Sequence, residues 1–187
     1  MKTKIVLTTV LCLFAIIGLN AQSLTFDKGN HVLNLNIGIG NARYSSGATS
    51  SVPPISASYE IGVVNNVFDK ASIGVGGYLG YTSAKWDFGG GYTWKSTDII
   101  IGVRGALHYP LVDKLDTYAG LMIAYDINSE TTTGDYFGLG TGTTSYGGLF
   151  LPGFVGARYF FSDKFAGMAE LGWGIAYLNL GVAIKIK

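Results

Sequence analysis

The sequence is poor in charge, cysteine and histidine, and each shortage argues against a class of protein. Charged residues make up 13% of the 187 residues and hydrophobic residues 48%, so charge is about half as frequent as usual and a soluble surface is disfavoured. The formal net charge of +1 gives no basis for a nucleic-acid partner. The two histidines, His31 and His108, argue against a histidine-rich metal site, and no cofactor is expected.

The single cysteine, Cys12, lies in an N-terminal segment with the pattern of a signal peptide. Two lysines precede an apolar run over residues 5–19, which is short for a membrane-spanning helix, and Ala21 offers a cleavage point. We therefore expect residues 1–21 to be removed and residues 22–187 to form one domain. That domain would contain no cysteine, which excludes disulfides and thiol chemistry.

Strict alternation of apolar and small or polar residues recurs along the rest of the chain, and this period of two indicates β-strands. No later segment has about twenty consecutive apolar residues, so helices are not expected to cross a membrane. The alternating segments number eight and have about the length that a tilted strand needs to span a bilayer. They are residues 33–39, 55–63, 73–81, 99–109, 119–127, 149–159, 169–175 and 178–186.

The composition of the two strand faces indicates which face is inside. The less apolar face is mostly Gly, Ser, Asn and Ala, which suits the narrow lumen of a small barrel. Aromatic residues of the apolar face cluster at the strand ends, as in the two girdles of a bilayer-facing surface; they are Tyr81, Tyr125 and Trp173 at one rim, and Tyr109 and Tyr159 at the other. The sequence predicts an all-β, eight-stranded antiparallel up-and-down transmembrane barrel, with a soluble lipocalin-like barrel as the alternative.

The connections between these strands alternate in length, as in outer-membrane barrels. The short ones are 65–70, 111–116 and 161–165, the long ones are 41–53, 84–94 and 128–147, and the last is very tight near residues 174–177. This alternation predicts periplasmic termini and extracellular long loops. The dipeptide Asp-Lys, which suits a turn in water, precedes each outgoing strand, at 27–28, 69–70, 113–114 and 163–164.

Three stretches, 156–165, 169–173 and 180–187, resemble the outer-membrane protein β-barrel domain family, the OmpA/OmpX-like small barrels of Gram-negative bacteria. The resemblance covers about residues 29–187. It implies an outer-membrane location, contact with outer-membrane lipid and insertion by the barrel-assembly machinery. Because the matching stretches are strand patterns, they specify fold and leave the extracellular ligand undefined.

Four charged residues fall on the predicted lumen face: Glu60, Arg104, Arg158 and Glu170. Arg158 and Glu170 are expected opposite each other across a turn centred near residue 164, where opposite charges attract. Poorly solvated charges need partners. The set is either a polar plug that fixes strand register or a gate whose exchanging ion pairs open a narrow conduit.

The connection over residues 84–94 is dense in aromatic residues, and by parity Trp86 and Trp94 continue the lumen face. They could line a mouth that stacks a sugar or peptide, or they could extend the hairpin or anchor in lipid headgroups. The 128–147 connection carries six threonines, and its length suggests surface function or mobility.

Enzymatic hypotheses find little support, because G-x-S-x-G and H-E-x-x-H are absent. His31 and His108 map to the periplasmic strand ends and have no serine–acid pair at motif spacing, so an outer-leaflet lipid enzyme is disfavoured. The leading hypothesis is a non-enzymatic structural or surface-interaction protein that acts through its extracellular loops. The competing one is a narrow channel for small polar solutes.

Overall fold

A computed structural model describes residues 26–44, 47–68, 70–134 and 140–187. The predicted signal peptide, with Cys12, lies outside the described residues. The described parts form nine strands: β1 His31–Asn41, β2 Ser50–Val67, β3 Ala71–Asp87, β4 Thr93–Val112, β5 Leu115–Thr133, β6 Gly142–Phe150, β7 Gly153–Phe160, β8 Phe165–Gly172 and β9 Ala176–Lys185. No helix in these ranges is long and apolar enough to span a membrane.

The strands form one antiparallel ring. Consecutive strands pair from β1 to β5, and β1 also pairs with β9, which closes the sheet. Both β6 and β7 pair with β5, along its second and first halves respectively, so together they occupy one position of an eight-membered ring. The predicted all-β, eight-stranded antiparallel barrel is therefore confirmed.

The division between β6 and β7 corrects the predicted uninterrupted strand 149–159. It falls at Leu151 and Pro152, where proline has no N–H to donate to a ladder. The Pro152 carbonyl instead accepts the N–H of Met122 at 2.9 Å. After this point β7 pairs with β8, whereas β6 pairs only with β5 among the described strands.

Alternate residues face the lumen and the outside, as the period of two predicts. In β1, Asn34 and Asn36 are buried while Leu35, Ile37 and Ile39 are exposed. In β5 the same pattern buries Met122 and Ala124 and exposes Leu121, Ile123 and Tyr125. One predicted face is wrong: Ile175, assigned outward, is fully buried, because β8 ends at Gly172 and the chain turns there.

Two of the predicted long loops are largely strand. The 84–94 connection shrinks to 88–92, because β3 continues to Asp87 and β4 begins at Thr93. Likewise β5 continues to Thr133 and β6 begins at Gly142. Threonine and aromatic residues favour extended backbone, so these segments prolong their hairpins beyond the other strands.

The short connections lie at the opposite end of the barrel and are tighter than predicted: 68–70, 113–114 and 161–164. The Asp-Lys pairs at 113–114 and 163–164 fall inside two of them, and the pair at 27–28 precedes β1; Asp69 lies outside the described residues. Lys114 has a φ of 65°, the left-handed conformation that such a tight turn requires.

Two neighbouring glycines in β3 allow a direct test of this packing. A Cβ at Gly76 would lie 2.1 Å from the backbone oxygen of Tyr59, whereas a Cβ at Gly77 would meet nothing within 4 Å. We expect Gly76→Ala to destabilise the barrel by about 1–3 kcal/mol because β2 must shift. Gly77→Ala should be neutral or slightly stabilising, since glycine is unfavourable in a strand. Urea unfolding in detergent micelles measures both, and equal effects would contradict the packing described.

Candidate functional site in the barrel lumen

Six acidic, basic or histidine side chains of the described residues form ion-pair clusters in the lumen, and they come from five strands. Each is at most 5% exposed. They are Glu60 on β2, Arg104 and His108 on β4, Asp116 on β5, Arg158 on β7 and Glu170 on β8. They fall into two groups, a lower cluster near the short turns and an upper cluster nearer the middle of the barrel.

The lower cluster comprises Glu60, His108, Asp116 and Arg158, joined in a closed circuit. Arg158 donates from Nη2 to Glu60 Oε2 at 2.5 Å and from Nη1 to Asp116 Oδ2 at 3.3 Å. The Nδ1 of His108 lies 3.0 Å from Asp116 Oδ1, and its Nε2 contacts Glu60. Ionised carboxylates only accept hydrogen bonds, so the doubly protonated imidazole satisfies both contacts. Two positive and two negative charges then balance.

The upper cluster comprises Arg104, Glu170 and Tyr118. Arg104 Nη2 lies 2.6 Å from Glu170 Oε2, and the Tyr118 hydroxyl donates to the same oxygen at 3.1 Å. The Arg104 guanidinium also lies 3.8 Å from the ring centroid of Phe154. Tyr118 lies between the two clusters. Its hydroxyl contacts Glu170 of the upper cluster, and the Arg158 guanidinium of the lower cluster lies 4.5 Å from its ring centroid.

Phe26, which precedes β1, closes the lower cluster from below. Its ring is 2% exposed and stacks on His108 with centroids 4.0 Å apart. Its carbonyl accepts the Ser72 hydroxyl at 2.8 Å. Gly62 makes room for this segment, since a Cβ there would lie 2.0 Å from the backbone oxygen of Asp27. The chain itself therefore covers this end of the lumen.

The structure brings the four predicted lumen residues into ion pairs, but with different partners from those expected. Arg158 lies opposite Met168, and Glu170 lies opposite Gly156. The predicted Arg158–Glu170 pair is wrong, because the register centres the turn at residue 163 and leaves Glu170 two residues away from the position opposite Arg158. Arg158 instead reaches across the lumen to Glu60, 98 residues away.

Sequence reasoning missed His108 and Asp116 as members of this cluster. The sequence pattern predicts His108 as a strand-end residue and Asp116 as part of the short connection 111–116. Parity was the available signal: His108 shares its face with Arg104, and Asp116 shares its face with Tyr118 and Met122. His31 lies outside the cluster, and its Nδ1 contacts the Tyr59 hydroxyl at 2.6 Å.

Trp86 and Trp94 lie at the opposite end, directly opposite each other in the β3–β4 ladder. Their rings stack with centroids 4.6 Å apart, and the Tyr44 ring meets Trp86 edge-on at 5.5 Å. Nearby, Arg43 Nη1 pairs with Asp126 at 2.9 Å. The two tryptophans therefore extend the hairpin and contact each other at the lumen mouth.

The lumen beside the upper cluster is filled. The cavity bounded by Tyr78, Arg104 and Glu170 has a volume of about 10 Å³, at the lower limit of what one water needs. Within the ranges that the structure covers, no three His, Cys, Asp or Glu side chains are arranged to hold a metal ion. Chemically, the arrangement balances buried charge and locks five strands together.

The lower cluster should contribute strongly to stability. We expect Arg158→Met to destabilise the barrel by about 3–5 kcal/mol, because Glu60 and Asp116 lose their shared partner in a buried site. Arg43→Met is the comparison at a more accessible pair, since the Arg43–Asp126 side chains are 19% and 18% exposed. It should cost less than Arg158→Met, because the remaining Asp126 carboxylate keeps some contact with solvent. Urea unfolding in detergent micelles measures the stability of both variants, with the folded fraction monitored by the gel mobility of unboiled samples.

A double variant tests whether the cluster acts as a unit. Glu60→Gln combined with Arg158→Met should cost less than the sum of the two single changes, since the second change removes a charge that the first left unpaired. Strict additivity, or equal losses for Arg158→Met and Arg43→Met, would contradict the coupling.

Comparison with known proteins reveals similarity in the fold. No family model matches the sequence, and no curated protein matches it significantly. Two crystal structures of Ail, the attachment invasion locus protein of Yersinia pestis, are similar in three dimensions. One is 12% identical, with a TM-score of 0.48, and covers 84% of this chain and 95% of Ail. The other, with the heparin analogue sucrose octasulfate, is 10% identical, with a TM-score of 0.50, and covers 83% and 93%.

At these identities the likeness concerns the fold alone. The chain has the architecture of the small eight-stranded barrels that Ail represents, and at this level the resemblance predicted from its strand patterns is confirmed.

Proposed function

We propose that this protein is an outer-membrane barrel that presents a protruding β-sheet for attachment to a partner outside the cell. In this proposal the short turns and the N-terminal segment face the periplasm, and the connections 42–49, 88–92 and 134–141 face outward. No catalytic step is assigned to it.

The outer surface of the barrel supports the membrane location. Its middle is aliphatic and well exposed: Ile37, Val103, Leu121 and Ile123 are each 59–68% exposed, which is unfavourable in water. Aromatic residues border this belt, with Tyr125 and Trp173 at one end and Tyr109 and Tyr159 at the other. An aliphatic belt between two aromatic girdles matches a bilayer.

The strand lengths support a protruding sheet. Strands β2 to β5 contain 18, 17, 20 and 19 residues, whereas about 9–11 tilted residues cross a bilayer. Measured from the aromatic residues that border the belt, the additional residues of these strands lie on the side of the 88–92 turn. There β2, β3, β4, β5 and β6 continue as a sheet beyond the outer girdle, while β1, β8 and β9 end near it.

The free edge of β6 is the observation that carries the proposal. This strand pairs with β5 on one side and with no other described strand, and eight of its nine residues are exposed. It contains no proline and no charged residue, the features that usually protect an edge. Unpaired backbone groups on such an edge can bind an extended segment of another protein by strand addition.

The similar solved structures are consistent with an attachment role, but the proposal does not rest on them. Ail is an attachment invasion locus protein, and attachment is what a protruding edge strand would serve here. At 10–12% identity, its partners are not transferred to this chain.

A matched pair of substitutions tests the edge. Thr144→Lys adds a positive charge to β6 opposite Glu130, so the new cross-strand pair is attractive and the β5–β6 hairpin is not destabilised. Thr93→Lys adds the same charge to β4 opposite Asp87. Because β4 is paired on both sides, only Thr144→Lys should block strand addition. We expect vesicles bearing Thr144→Lys to attach to cultured epithelial cells several-fold less than wild type, with Thr93→Lys unchanged. Wild-type attachment by Thr144→Lys would count against the β6 edge.

A narrow channel is the second candidate, favoured by the two carboxylates that share Arg158 in the lower cluster. A gate could open if Arg158 released one of these carboxylates and kept the other. Against it, Phe26 and the tightly filled lumen block the described path. We expect the folded protein to be electrically silent in a planar bilayer. Discrete conductance steps that change on Arg158→Ala would favour the channel instead.

A further inference from the structure

The outward face of the protruding sheet changes character in successive rows across β3 and β4. The last apolar row contains Ile55, Tyr81, Ile99 and Ile127. The next row contains Val52 on β2, followed by hydroxyl groups on Ser83, Thr97, Ser129 and Ser145. The row above it contains two lysines flanked by hydroxyls: Ser50, Lys85, Lys95, Thr131 and Thr143.

Lys85 and Lys95 lie directly opposite each other in the antiparallel ladder. Like charges in this position repel, and both side chains are exposed. Among the described residues, neither is in an ion pair with a carboxylate. Asp87, two residues along β3, accepts the N–H of Gly89 with its carboxylate at 2.9 Å. The ladder therefore places two lysines opposite each other, and neither of them is in an ion pair within the described part of the chain.

The height of this pair above the apolar belt points to the partner. Four residues separate Lys85 from Tyr81, which is about 13 Å along the strand and about 10 Å along the barrel axis at the usual tilt. The polar layer of a bilayer is roughly 5–8 Å thick on each side, and a lysine extends its ammonium group toward that layer along a flexible stem. Both ammonium groups can thus reach the level of lipid headgroups.

We propose that Lys85 and Lys95 bind a phosphomonoester on a lipid headgroup in the leaflet that surrounds the outer end of the barrel. A phosphomonoester carries nearly two negative charges and three acceptor oxygens, which match two ammonium groups and neighbouring hydroxyls, whereas the phosphodiester of phosphatidylcholine carries one charge. The Thr131 and Thr143 hydroxyls, 3.2 Å apart, border the site. The inference rests on the proposed membrane location but not on the attachment role of β6.

Lipid binding by the reconstituted barrel tests the inference. The probe is phosphatidic acid in phosphatidylcholine vesicles, and lipid retained by the folded protein is counted by native mass spectrometry. We expect wild type to retain phosphatidic acid preferentially and Lys85→Gln/Lys95→Gln to reduce that preference roughly tenfold or more. The matched control, Lys164→Gln/Lys187→Gln, removes the same charge from exposed residues at the other end and should reduce it far less.

Relief of repulsion provides a second readout. In vesicles of phosphatidylcholine alone, Lys85→Gln/Lys95→Gln should unfold at a higher urea concentration than wild type, and phosphatidic acid should stabilise only the wild type. Equal losses of lipid preference in both double variants would overturn the site in favour of general charge attraction.

Two further outcomes separate the alternatives. Retention of soluble sucrose octasulfate without any preference for phosphatidic acid would overturn the lipid assignment in favour of a soluble polyanion. If wild type inserts into vesicles but shows no phosphatidic acid preference, the lysine site is wrong and the membrane location stands. If wild type fails to insert at all, the proposed location itself is wrong.

Discussion

Closure of the sheet through the β1–β9 ladder is the constraint on which the other features depend. A ring of eight strands encloses a lumen just wide enough for side chains to fill, so every inward residue must pack against residues from across the barrel. A charged side chain in that space has little water available, and it must find its partner on another strand. The lower cluster is the result, with Arg158 of β7 joined to Glu60 of β2 and Asp116 of β5.

This arrangement gives the charges a structural role. A one-residue slip of any strand would turn its inward residues to the outside and would remove a charge from a balanced, buried circuit. The cluster thus disfavours alternative registers as well as stabilising the native one. Phe26 and Gly62 complete the closed end, because the segment before β1 fits only where β2 has no side chain.

The two ends of the barrel consequently differ in what they can do. One end is tightly turned and covered by the segment that precedes β1, while the other continues as a sheet whose β6 edge is paired with no other strand of the described ranges. On that same sheet, the lysine pair faces outward above the aromatic girdle. Attachment by the edge and lipid binding by the lysines would use different groups of one element, so the lipid site could fix the height at which the edge is presented.

The sequence by itself determined the eight positions of the ring and the faces of most strand residues, because a period of two follows directly from strand geometry and needs no knowledge of tertiary contacts. It did not determine the break at Pro152 or the inward face of Ile175. It also placed Glu60, Arg104, Arg158 and Glu170 on the inner face. The sequence predicts the strand ends less well. Turn residues and strand residues mix near Trp86 and Trp94, so the pattern predicts a loop where the structure continues β3 and β4.

Only the tertiary structure decided which inner residues meet. A turn centred at residue 163 rather than 164 moved Glu170 away from Arg158, and ring closure brought Glu60 within reach from 98 residues away. His108 and Asp116 joined the cluster for the same reason. Partners across a lumen depend on the stagger of all the strands together, a quantity that no local pattern of residues contains.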